Sequence, residues 1–276
     1  MERQIEAMLL ANIMGINTNK LARFGFSFAR GGVHTARTMM LEELRGLLSY
    51  VNRPDAVKTD YLRAIDEDNC LGKRSGKTRI LTYQHLVELY TLNPSILIYR
   101  NLLFFWQRDL PGQPLLALLC TYSRDLIFRS TAPFILKFSA DAIISRQELE
   151  DFIDNKEPGR FSKATLTSTA QNINSTWTKS GHLIGTKIKR RSQATTTAGS
   201  VAYALLLAYL TGERGKALFN SEYIKLLDCT VDRAIELAED ASRKGWIVFK
   251  RVGDVMEVLF PNLITPEEME WVREQS

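Results

Sequence analysis

Ser162 to Arg191 reads SKATLTSTAQNINSTWTKSGHLIGTKIKRR, and it lies in a run from Pro158 to Gly212 that holds seven Lys or Arg and no Asp or Glu. In a chain with 24% charged residues, so long a one-signed stretch makes a cation-presenting surface. Ser162 is placed to cap a helix, because its hydroxyl can accept a free amide proton of the first turn. Leu166, Ala170, Ile173 and Trp177 then recur at helical spacing and share one face. The remaining residues are short and polar, among them Thr165, Thr167 and Ser168, with Lys163 and Lys179 at the two ends. Such side chains bond phosphate oxygens and base edges without adding repelling charge. The breaker Ser180-Gly181 follows, then a short β-like pair around Gly185-Thr186, then Lys187, Lys189, Arg190 and Arg191. Polar helix, tight turn and basic hairpin in that order predict a winged helix-turn-helix, with the helix in a groove and the wing along the phosphates. The alternative reading is a solvated helix face followed by a soluble basic loop.

Downstream, after a threonine linker at 195–197, an apolar helix is expected from about Ser200 to Leu210, and Thr230 caps a longer one reaching Lys244. Trp246 to Arg251, the turn Val252-Gly253-Asp254, and Val255 to Phe260 form a hairpin, so a second winged unit is predicted. Its wing carries Lys250 and Arg251. Its third helix contains Glu236, Glu239 and Asp240, which suit packing or partner binding as well as DNA. The tail ends in an acidic helix from Pro266 to Glu274.

Upstream, Ser145-Arg-Gln-Glu148 is a capping box for a helix to Asn155. The strongly apolar stretch from Ile96 to Ser139 is helical, and its aromatic residues belong to a core. In the first third, helices are expected over residues 1–14, Val33 to Tyr50, Pro54 to Glu67, and from Ser75 to a point before Asn93-Pro94. Gly72-Lys-Arg-Ser-Gly-Lys-Thr78 superficially suggests a phosphate loop, but three residues separate its glycines where the motif needs four, and no strand precedes it. Lys73, Arg74, Lys77 and Arg79 instead make a basic helix start, with Arg74 and Lys77 among the candidates for DNA phosphates. This gives three regions: an N-terminal helical region over 1–95, a central unit over 96–194, and a C-terminal unit with its tail over 195–276.

The 276 residues, net charge of +5 and pI of 9.1 favour an anionic partner. Three scattered cysteines, Cys70, Cys120 and Cys229, fit neither a disulfide framework nor a zinc site and point to the cytoplasm. The apolar start carries Glu2 and Glu6, which reads as an amphipathic helix and not a targeting signal, and no stretch is long enough to span a membrane. His34, His85 and His182 lie far apart without carboxylate or cysteine spacing. No metal, cofactor or catalytic motif is expected, and the chain reads as a non-enzymatic binding protein.

Phe26-Ser-Phe-Ala-Arg-Gly-Gly32 followed by a helix, the Arg74 to Tyr90 helix, the Leu115 to Arg129 segment, and the Ser162 to Leu183 helix and turn ending in Trp177-Thr-Lys-Ser-Gly181 form a recognisable set. Together they resemble the BrxA family of bacterial BREX (bacteriophage exclusion) systems. The resemblance implies a mainly helical, multi-helical protein with NusB-like and winged-helix features and small hairpin wings. It also implies DNA binding in phage defence, alongside a methyltransferase, a phosphatase-like protein and a large ATPase. Together the expectation is a double-stranded DNA-binding component that works mainly through phosphates. The alternatives are an adaptor between proteins of the same assembly, or an RNA-binding NusB-like protein.

Overall fold

Ala198–Leu210 is apolar around its whole circumference, and a helix of that kind must be interior. Twelve of its thirteen residues are buried. In the computed structural model, which describes residues 18–273, this helix packs against neighbours from the middle and the end of the chain. The expected helix over 1–14 lies outside the described residues. The chain is mainly helical, with thirteen α-helices and two small antiparallel sheets among the described residues.

The first third holds α1 (Thr18–Phe24), a single 3-10 turn at Val33–Thr35, α2 (Leu41–Val51), α3 (Lys58–Asp66) and α4 (Gly76–Tyr90). The middle begins with α5 (Leu97–Arg108), α6 (Gln113–Arg124) and α7 (Leu126–Leu136). It continues with β1 (Ile143–Ile144), α8 (Arg146–Lys156), α9 (Lys163–Lys179), β2 (Leu183–Ile184) and β3 (Lys189–Arg191). β3 is the central strand of its sheet, with β1 and β2 antiparallel on either side. The last part holds α10 (Ala198–Leu210), α11 (Glu222–Lys225), α12 (Val231–Arg243), the hairpin β4 (Val248–Val252) and β5 (Val255–Leu259), and α13 (Pro266–Arg273). One contiguous apolar core runs through all three regions, from Leu21 to Val272.

Helix starts follow their caps. Ser75, Ser145, Ser162 and Thr230 each accept an amide proton from the first turn of the helix they precede. Two expectations in the first third fail. Pro54 lies outside α3, which starts at Lys58 because the Asp60 carboxylate reaches back to the Val57 N–H at 2.9 Å. The long helix expected from Val33 is broken: one 3-10 turn ends at Thr35, and Met40 takes a left-handed conformation before α2 begins.

Long-range bonds cause the break. The Met39 N–H donates to Thr176 Oγ1 of α9 at 2.9 Å, and the Tyr90 hydroxyl donates to the Met39 carbonyl. Five residues earlier, His34 is fully buried. Its N–H donates to Asp125 Oδ2 (3.1 Å), its Nδ1 lies 2.9 Å from the same oxygen, and its Nε2 lies 2.9 Å from Thr176 Oγ1. Asp125 also caps α7 by accepting from the Phe128 N–H at 2.9 Å. At Gly32 a Cβ would meet Asp125 Oδ1 at 2.4 Å, so only glycine lets the chain approach this carboxylate. Arg124 and Arg129 hold the rest of the segment by donating to the carbonyls of Gly25 and Ser27.

Burial pushes the Asp125 carboxyl up, but the His34 interaction and the two amide donors outweigh it and hold the group below its ordinary value. Asp125→Ala is therefore expected to cost about 3 to 5 kcal/mol in urea unfolding at neutral pH, as for one partner removed from a buried polar pair. A carboxyl with a depressed folded pKa contributes fully above its unfolded value. In the natural protein that contribution is expected to be lost as the pH falls below about 4, and to be missing from the pH profile of the variant.

Candidate nucleic-acid interface

The polar residues of α9 are divided between packed and solvent-facing positions: Ala164, Thr167, Gln171, Ser175 and Thr178, at helical spacing, keep exposure on one side. The helix is packed on α8 at one side and on the Val33–Thr35 turn at the other. Thr169, Asn174 and Thr176 are buried beside Leu166, Ala170, Ile173 and Trp177. Lys163 extends into solvent, yet its ammonium pairs at 3.1 Å with Glu150, whose side chain is 2% exposed. Thr165 is half-buried, and its hydroxyl lies 2.9 Å from the capping Ser162 hydroxyl. Ser168 donates to the carbonyl of Thr165 and lies against that of Thr35. Thr167 and Lys179 are half-buried. Lys179 adds to the positive field around Glu43, where burial raises the carboxyl but Lys73 brings it net below its ordinary value. Thr165 and Ser168 thus have hydroxyl bonds within the fold, while Lys163 stays exposed with one of its three donors on Glu150.

The basic hairpin divides in two. Arg191 is corrected outright. It is 4% exposed, and its guanidinium makes two bonds to the Asp228 carboxylate at 2.9 and 2.7 Å and a third to the His182 carbonyl at 3.2 Å. A bidentate pair of this kind fixes geometry as well as charge. It binds β3 to the loop before α12, and burial keeps the guanidinium out of reach of a phosphate. Lys187 and Arg190 are exposed. Lys189 is half-buried and donates to the Gly185 carbonyl at 2.6 Å, closing the turn, and desolvation pulls its pKa below the ordinary lysine value. The turn needs Gly185, which has φ of +92° and where a Cβ would lie 2.1 Å from the Ile188 carbonyl oxygen.

Elsewhere, Lys73 pairs with Glu43 at 3.0 Å and Arg79 with Asp66 at 3.2 Å, so Arg74 and Lys77 alone remain exposed at the start of α4. On the C-terminal hairpin, Lys250 pairs across the strands with Glu257 at 3.4 Å, and Arg251 is exposed. That hairpin also carries Asp254, so its acids balance its cations. The β2–β3 turn carries no acid.

Two buried histidine clusters have little local sequence signal: the partners of His34 and the Leu226 carbonyl bonded by His182 are distant in the chain, and only Ser180 is near. The Asp125–His34–Thr176 arrangement has the order of a charge-relay triad. His34 and Thr176 are both fully buried, however, and Thr176 Oγ1 already accepts from Met39, so no substrate reaches it. His182 donates from Nε2 to the Leu226 carbonyl at 2.9 Å, with Nδ1 2.8 Å from the Ser180 hydroxyl. Among the described residues no group of three or more His, Cys, Asp or Glu side chains is gathered to hold a metal, and no helix is long and apolar enough to cross a membrane.

Two measurements separate the structural cations from the surface ones. Arg191→Ala is expected to lose about 3 to 5 kcal/mol of stability, because Asp228 loses a buried partner, whereas Lys187→Ala should stay within about 0.5 kcal/mol of the natural protein. Burial also lowers the His182 pKa from 6.5 to about 4, which favours the neutral ring in the fold. Between those values the unfolded chain binds the extra proton, so stability should fall on acidification from pH 6.5 to 4 by about 3 kcal/mol. His182→Asn is expected to flatten that slope in denaturant titrations.

No family model matches this chain, and no curated protein does. Among solved structures it is similar to one described as the magnesium ion-bound SspB crystal structure, with a TM-score of 0.50 and 11% identity over 90% of this chain and 96% of that one. A likeness at that identity concerns the fold alone.

Proposed function

We propose that this protein is a non-enzymatic, double-stranded DNA-binding component of a BREX phage-defence system, holding DNA mainly by its phosphates. The observation that carries the reading is the β2–β3 hairpin, where Lys187 and Arg190 are exposed on a segment that contains no acidic residue, while Lys189 faces the other side and closes the turn. The order α7, β1, α8, α9, β2, β3, with β3 between β1 and β2, supports taking this region as a winged helix-turn-helix. Because α8 and the Val33–Thr35 turn cover part of α9, the wing makes the principal contact. The helices and hairpin from α10 to β5 form a second unit of similar order. Its balanced charge suits protein packing better, and the methyltransferase, phosphatase-like and ATPase components are the partners that the family resemblance supplies.

Three to five neutralised phosphates give a slope of about −3 to −4.5 for log affinity against log salt. Titrating a labelled duplex at several salt concentrations tests this. Changing Lys187 and Arg190 together to Ala is expected to weaken binding and to flatten the slope by about 2, with the far-ultraviolet spectrum unchanged. Natural protein that binds with a slope near zero would refute the phosphate model. Equal binding by the double variant would move the contact to Arg74 and Lys77 or to Arg251.

A further inference from the structure

The β2–β3 hairpin carries more than charge. Of the eleven large apolar side chains left exposed among the described residues, three are on this small sheet: Ile143 at 56%, Ile184 at 51% and Ile188 at 61%. The register explains how they sit. Arg190 has Ile143 as its Cα partner on one side and Ile184 on the other. Paired residues of neighbouring strands point to the same side of a sheet, so the three side chains form one exposed row with the guanidinium between two aliphatic groups. Ile188 stands at the head of that row, in the turn itself, beside Lys187. The opposite face carries Ile144 and Leu183, which are buried. An outward face of isoleucines therefore leaves apolar surface in water that the fold does not need to expose.

We infer that this hairpin is a minor-groove wedge, in which Ile188, backed by Ile184 and Ile143, presses between base pairs while Arg190 lies in the groove. The inference rests on the DNA reading above and adds which groove is used and how. The minor groove is about 6 Å wide and admits a narrow hairpin but not a helix. Proteins that occupy it commonly push an aliphatic side chain into a base step. Narrow A·T tracts concentrate negative potential there and attract arginine. A protein partner fits less well, since a stable interface buries about 800 Å² on each side and a four-residue turn with two short strands supplies far less. The C-terminal hairpin also exposes Val252 and Val255 at its tip, but Asp254 and Glu257 beside them repel phosphate.

The test uses the full-length protein with matched duplexes, one A·T-rich and one G·C-rich, carrying 2-aminopurine at a central step. Binding to the A·T-rich duplex is expected to be competed by netropsin, which fills the minor groove, and to brighten 2-aminopurine as the step unstacks. A variant with Ile184→Ser and Ile188→Ser changes only exposed side chains. It should keep the natural salt slope, lose the brightening, and bind roughly tenfold more weakly, as when aliphatic burial is removed from a contact. Salt-dependent binding that netropsin leaves untouched, with 2-aminopurine still quenched, would overturn the wedge while leaving the DNA reading standing. The serine variant binding DNA like the natural protein but losing self-association in sedimentation would assign the isoleucine row to protein contact instead. Natural protein that binds no duplex at any salt concentration would remove both readings.

Discussion

The carboxylate of Asp125 is the point on which the architecture turns. It takes protons from the backbone and ring of His34 and from the amide of Phe128, so one buried group joins the segment before α2, the start of α7 and, through the His34 ring, Thr176 of α9. A buried carboxylate is costly unless its lone pairs are filled, and here they are filled by groups up to 91 residues away. The consequences spread outward. Gly32 has to be glycine, the helix expected from Val33 cannot continue, and Met39 is drawn against Thr176. The turn at Val33–Thr35 then covers one side of α9, so a helix that looks free in the sequence is partly enclosed.

The same economy governs the cations. Lys73, Arg79, Lys163 and Arg191 each meet a carboxylate of the fold, and Arg124 and Arg129 are used on carbonyls of the N-terminal segment. What remains for an outside anion is a much smaller set than the composition suggests. A net charge of +5 is a statement about solubility and long-range attraction, and it says little about where an anion is held. The hairpin between β2 and β3 stands out because its positive charge is local and exposed, with no acid in the hairpin itself and Asp141 on the neighbouring segment.

Much of the local structure was legible. Caps at Ser75, Ser145, Ser162 and Thr230, the periodicity of α9 and α10, and the β4–β5 hairpin follow from short-range rules, and the structure has them within a few residues of where those rules put them. The face of α9 was not legible, and the reason is chemical. Serine and threonine were read as solvent-facing because they are polar, but in a helix their hydroxyls can return to the carbonyl of the preceding turn. Thr169 does so to Thr165 and Thr178 to Asn174, both at 2.8 Å, so these side chains can be enclosed without an orphaned group. Asp125 and Asp228 were illegible for a different reason. Each acts on a residue tens of positions away, and nothing near either one announces its partner. The isoleucines of the hairpin carry no sequence signal of their own, because they alternate with charged and small residues and their exposure depends on the sheet register.

The pair between Arg191 and Asp228 makes the five residues Lys187-Ile-Lys-Arg-Arg191 unequal in how they can change over time. At positions 187 and 190 lysine and arginine are near equivalents, since a solvent-facing charge acts chiefly through its sign. At 191 the planar fork makes two bonds at once, and an ammonium cannot reproduce them. Replacement there is tolerable only with a matching change at 228, so drift at the two positions must be joint while the tip of the hairpin drifts alone.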